Sequence, residues 1–156
     1  MKACSIVSCA LCLMVSFTIR AQNFDPKNVL PKSLAQYRFG MSLDDFTGKN
    51  KTATLLDGKQ SFRIEYQEIA PATDIRKVTY YFDADDNKPL YEMIIEFNSV
   101  ESLNEHCSKK LGTANAGKRW TRTTKNGHTF KAWRFGTTLV YALGLPDTEW
   151  EKDWDN

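Results

Sequence analysis

The chain has 156 residues, with 21 Lys and Arg against 19 Asp and Glu for a formal net charge of +2. That length admits one domain with a real hydrophobic core. A charge so near zero removes any whole-molecule electrostatic argument for nucleic acid or an anionic membrane as the partner.

The opening "MKACSIVSCALCLMVSFTIRAQ" sets Lys2 ahead of an apolar or small-residue run over residues 3–19, followed by Arg20, Ala21 and Gln22. This pattern predicts a secretory signal peptide over 1–21, cleaved near Ala21. A run of 17 residues diluted by Ser, Thr and Cys is at the short limit for spanning, so no transmembrane span is expected after cleavage. Lipidation at Cys9 is disfavoured, because only residues 3–8 would remain as the apolar region. Cleavage takes Lys2 and Arg20 with it, leaving 19 basic against 19 acidic residues. It also removes Cys4, Cys9 and Cys12, so Cys107 is the single cysteine of the mature chain and no internal disulfide can form. A fold held by packing alone suits a bacterial envelope protein, periplasmic or secreted, better than a disulfide-framed extracellular module.

Residues 22–35, with Pro26 and Pro31 and no clear period, read as a leader that docks weakly. In "FGMSLDDFTGKN", Ser42 followed three residues later by Asp45 is a capping box for a short helix that ends near Gly48 and buries Leu43 and Phe46. "SFRIEYQE" alternates Phe62, Ile64 and Tyr66 with Arg63, Glu65 and Gln67; "KVTYYF" and "LYEMIIEF" continue the alternation as two more strands. "NSVESLNEHCSKKLG" spaces Val100, Leu103, Cys107 and Leu111 along one helix face, with Asn98 at the start and Gly112 as the stop. Asn126-Gly127 and Gly136-Thr137 then turn two hairpins, a second run of three strands. "DTEWEKDWDN" closes the sequence as an acidic tail over 147–156 with Trp150 and Trp154.

The expected fold is a single α+β domain over 36–146, in two similar halves at 36–97 and 98–146. It has an antiparallel sheet of about six strands in two three-strand meanders, each preceded by a helix, with the helices packed on the apolar face. The "FGMSLDDF" opening and this repeated order resemble the BamE-type outer-membrane-assembly lipoproteins and the tandem units of the beta-lactamase inhibitory proteins. That resemblance implies a binding or scaffolding role in the envelope without catalysis, and it carries over no functional residue.

Among candidate chemistries, "DADDNKP" spaces Asp83, Asp85 and Asn87 like the start of a calcium loop. Lys88 stands where the loop needs Gly, and Ile94 where it needs the bidentate Glu, so the segment reads as a hairpin turn. His106 and Cys107 are neighbours on a helix and do not face each other, which favours a buried, inert thiol. His128 reads as a surface turn residue without a second ligand nearby. Glu92 and Glu96, four residues apart on a strand, are roughly 13 Å apart, too far for a glycosidase pair; they read as charge on a solvated face. "NKT" at Asn50 is a chance-frequency glycosylation triplet.

The remaining signal is a contact surface. Lys109, Lys110, Lys118, Arg119, Arg122 and Lys125 surround Trp120, a mixture suited to an acidic partner. Tyr81, Trp133, Trp150 and Trp154 are aromatics that the alternation does not place securely in the core; exposed together they would form a recognition patch, and otherwise they fill a two-sided core. The reading is therefore a non-enzymatic exported binding or scaffolding module without cofactor or metal, whose partner contacts fall among Trp120, Arg119, Arg122, Trp133, Trp150 and Trp154. The partner is an unidentified envelope or extracellular macromolecule rather than nucleic acid. The alternative is a small-ligand or glycan carrier with an aromatic cleft between the halves.

Overall fold

The computed structural model describes residues 24–56, 61–85, 87–115 and 117–151. The expected signal peptide and Trp154 lie outside them. The leader is no loose appendage. Two 3-10 turns, Pro26–Val29 and Lys32–Leu34, bury Val29, Leu30 and Leu34 in the main core, so the packed unit starts well before residue 36.

Helix α1 (Leu43–Lys49) begins as the sequence predicts, with Ser42 Oγ accepting from the Asp45 amide at 3.2 Å. Phe46 is fully buried, with its ring against those of Tyr37, Tyr66, Tyr80 and Phe82. Asn50 ends the helix. Its side-chain oxygen accepts from the Thr52 and Ala53 amides and its nitrogen donates to Glu68, so the glycosylation triplet has a buried, occupied amide.

The strands that follow are β1 (Thr54–Leu56), β2 (Arg63–Ala72), β3 (Ile75–Asp83) and β4 (Leu90–Phe97), then β5 (Arg119–Thr123), β6 (Thr129–Phe135) and β7 (Thr138–Leu143). Helix α2 (Val100–Lys110) separates the two groups. Among the described residues these seven strands form one antiparallel sheet in the order β1-β2-β3-β4-β7-β6-β5.

This corrects the expected architecture of six strands in two helix-led meanders. A seventh strand, β1, intervenes between α1 and the first meander, so the first group has four strands and does not repeat the second. The halves are not separate units either, because β4 and β7 pair directly from Glu92↔Ala142 to Glu96↔Thr138. The physical reason is burial. β4 and β7 are almost wholly buried on both faces, and strands of that kind belong at the centre of a sheet.

Strand register sorts the side chains. Tyr66, Tyr80, Met93, Tyr141, Ala132 and Trp120 form one row across the inner face, joined there by Phe46 of α1 and by Leu103 and Cys107 of α2. α2 starts one residue later than its sequence signal: Ser99, not Asn98, accepts from the Ser102 amide at 3.1 Å. Val100, expected on the buried face, is 42% exposed. Gly112 ends the helix at φ +67°, a left-handed conformation that favours glycine, and its amide returns to the Cys107 carbonyl. The β3–β4 turn is closed by its own residues, with Asp83 Oδ1 accepting from the Asp85 amide at 2.8 Å.

Candidate functional site

The opposite, outer face of the sheet carries the most distinctive chemistry. One row reads Glu65, Tyr81, Glu92, Ala142, Lys131 and Thr121, and the next Gln67, Thr79, Ile94, Val140, Trp133 and Arg119. In the second row Ile94, Val140 and Trp133 make an apolar strip across three adjacent strands. A bulge between Tyr81 and Phe82 lets β4 present Tyr91 beside Glu92.

Residues 145–151 fold back over this face as a strap. Trp150 sets its ring 5.8 Å from that of Trp133, nearly edge-on, and its Nε1 donates to Glu92 Oε2 at 2.9 Å. The Tyr91 hydroxyl donates to Glu149 Oε1 at 2.9 Å. Arg63 on β2 bonds Glu65 at 2.8 Å, lies 3.6 Å from Glu149 and sets its guanidinium 4.4 Å from the centre of the Tyr81 ring.

Glu92 is only 5% exposed. Burial pushes its carboxyl up to about 7; the neighbouring Glu149 carboxyl, within hydrogen-bonding reach, adds to the rise, while the Trp150 indole and Arg63 oppose it. Burial and Glu149 likewise push the Tyr91 phenol up, and burial with Glu65 raises Tyr81. The expectation of a solvated Glu92 is therefore corrected. Glu96 does sit in partial exposure, paired with Arg76 at 3.0 Å and Lys77 at 3.4 Å.

An open groove of about 1740 Å³ runs along the end of the sheet, between the β3–β4 turn and the strap. Asp44, Asp83, Asp85, Asp147, Glu149 and Glu151 line it, with Lys88 the one basic residue of its described wall. Among the described residues no group of three or more His, Cys, Asp or Glu is placed to hold a metal ion. A second cavity of about 200 Å³ lies between Phe24, Phe39, His128 and Leu143, below the range of roughly 300 Å³ at which small-molecule sites begin.

No family model, characterised protein or solved structure matches this chain. Among the described residues no helix is long and apolar enough to cross a membrane.

The structure divides the residues expected to contact a partner. Trp133, Trp150 and Arg119 share the outer face. Trp120 belongs to the core instead: it is 5% exposed and its Nε1 donates to the Gly112 carbonyl at 3.0 Å. Arg122 bonds the Leu111 carbonyl at 2.6 Å and sets its guanidinium 5.2 Å from the Phe24 ring centre, so it ties β5 to α2 and to the leader. Trp154 lies outside the described residues. Sequence reasoning missed Arg63, Tyr91 and Glu149. Only the phase of the β4 alternation pointed to Glu92 on a shared face, and nothing in "DTEWEKDWDN" showed that it would fold onto the sheet.

Proposed function

We propose that the protein is a non-enzymatic binding module of the bacterial envelope that docks another protein on the outer face of its sheet. The observation that carries this reading is the aromatic and aliphatic surface at the uncovered end of that face. Phe135 is 58% exposed beside the half-buried Trp133, and Ile69, four strands away in the same row with Lys77, Glu96 and Thr138 between them, is 66% exposed. Aromatic anchors surrounded by polar neighbours such as Lys77, Glu96 and Arg119 are the usual composition of a recognition surface.

A catalytic role is less well supported. Glu92 would suit a general acid by its raised pKa, but the Trp150 indole and the strap cover it, and it does not line the acidic groove. The envelope role is also what the resemblance of the "FGMSLDDF" opening implies.

The test is affinity capture from envelope extract, comparing the purified protein with Phe135→Asp and Trp133→Ala. We expect a partner retained reproducibly by the unaltered protein and lost with both variants. Equal retention by all three, or none by any, would overturn the reading.

A further inference from the structure

The strap is held by an unusual set of groups. Two carboxyls, Glu65 from the sheet and Glu149 from the strap, share the Arg63 guanidinium at 2.8 and 3.6 Å, and the buried Glu92 lies beside Glu149 with no ion pair to Arg63 among the described residues. Other charged and titratable groups among the described residues stand around them. Asp83 stands opposite Arg63 on β3, Tyr81 and Tyr91 are phenols, Glu151 on the strap is acidic, and Lys131 lies beyond Ala142, two strands from Glu92. With both Glu92 and Glu149 ionised, two negative charges would be neighbours where one is almost wholly out of water.

We propose that residues 145–151 are a pH-released strap, in which a proton carried by Glu92 bridges to Glu149 and holds Trp150 on the sheet. Loss of that proton loosens the strap and uncovers the strip of Ile94, Val140 and Trp133. The geometry supplies the closed half of the device, and charge repulsion the open one. Closed, the protonated Glu92 donates to Glu149 while its other oxygen accepts from the Trp150 indole, and Glu149 also accepts from Tyr91. Open, two carboxylates repel across the seam between strap and sheet. The rise in the Glu92 pKa to about 7 places the change near neutrality.

This inference rests on the binding reading only for its purpose, since the strip uncovered is part of the proposed docking face. Its test needs no partner. Hydrogen–deuterium exchange of the purified protein is followed at pH 6 and pH 8.5, corrected for the intrinsic pH dependence of exchange, with peptides from β4 and β7 as the internal measure of an intact fold. We expect protection over 145–151 to fall at least tenfold at the higher pH while β4 and β7 stay protected. Glu92→Gln, a neutral isostere that still donates to Glu149 and accepts from Trp150, keeps the strap protected at both pH values. Glu149→Gln, which removes the opposing charge, flattens the profile from the other side. Unchanged protection in the unaltered protein, or a pH response that survives in both variants, would overturn the proposal. Neither result depends on whether Phe135 and Trp133 capture a partner.

Discussion

Two buried titratable side chains act in opposite directions on stability. His106 Nε2 lies 2.8 Å from the Tyr141 hydroxyl, and that hydroxyl donates to the Val29 carbonyl at 3.0 Å, so the imidazole is the donor in its own bond. Burial is the main cause that lowers the His106 pKa from 6.5 to about 4, with Lys110 assisting. The unfolded chain therefore binds a proton there before the folded one does, and the His106 contribution, complete above pH 6.5, is lost as pH falls through about 4. Glu92 is the reverse case. Its folded pKa of about 7 exceeds the ordinary 4.5, so its contribution is complete below 4.5 and is lost as pH rises through about 7. Between 4.5 and 6.5 the two slopes oppose each other and this part of the pH dependence is nearly flat. Glu92→Gln removes one of them. Urea unfolding of that variant should show stability rising with pH from 4 to 6.5. At pH 8 the variant should be more stable than the unaltered protein by roughly 1–3 kcal/mol, since a shift of this size is worth on the order of 3 kcal/mol. Equal midpoints at pH 8 would show that Glu92 ionises freely. Neither residue's role was legible beforehand. The helix period correctly placed Cys107 in the core, but nothing local tells that His106, one position earlier, reaches a strand tyrosine 35 residues away.

Elements were legible where the pattern is local and long. The first part of β2, the eight residues of β4 and the Asn126-Gly127 hairpin follow from alternation and turn chemistry, whereas the continuation of β2 through Pro71 to Ala72 does not. β1 was not, because a three-residue strand is too short to show a period. The α2 cap was misread by one position because Asn98 and Ser99 are both good caps; Asn98 instead donates to the Thr73 carbonyl at 2.7 Å. One loop residue has an element-scale role that no pattern announces. The Asn115 amide donates to the Arg119 carbonyl at 2.9 Å and its side-chain oxygen accepts from the Thr121 amide at 2.7 Å, so the outer edge of β5 is occupied by a single asparagine. Phe24 bridges Thr124 just past the end of that strand. Uncovered edges template association with other chains. Asn115→Ala should cost about 1 kcal/mol for the lost side-chain bond. It should also introduce concentration-dependent self-association, read by light scattering. A variant that stays monodisperse at high concentration would show that the leader alone protects this edge.

At the scale of the whole molecule, strand order was the part least accessible to sequence. Two meanders can be laid side by side in several ways, and the choice made here depends on the burial of β4 and β7, each almost wholly enclosed only once the other is present. The same holds for the candidate site. Its rows could be read strand by strand, but the strap that completes it crosses from residues 145–151 to Arg63, Tyr91 and Glu92, a tertiary event without local signature. The pairing of β4 with β7 also bears on assembly over time. β7 lies between β4 and β6, so an interior position of the sheet is filled by the last of the described strands in chain order. Until residues 138–143 arrive, β1–β4 has an open apolar edge at β4, and the β5–β6 hairpin has no neighbour at β6. A chain ended at Phe135 should accordingly show no cooperative thermal transition by circular dichroism, whereas a sigmoidal melt would mean that the four-strand part stands alone. A growing chain therefore cannot join its two groups of strands until residues 138–143 are released, and the last contact to form is the one that ties the rest together.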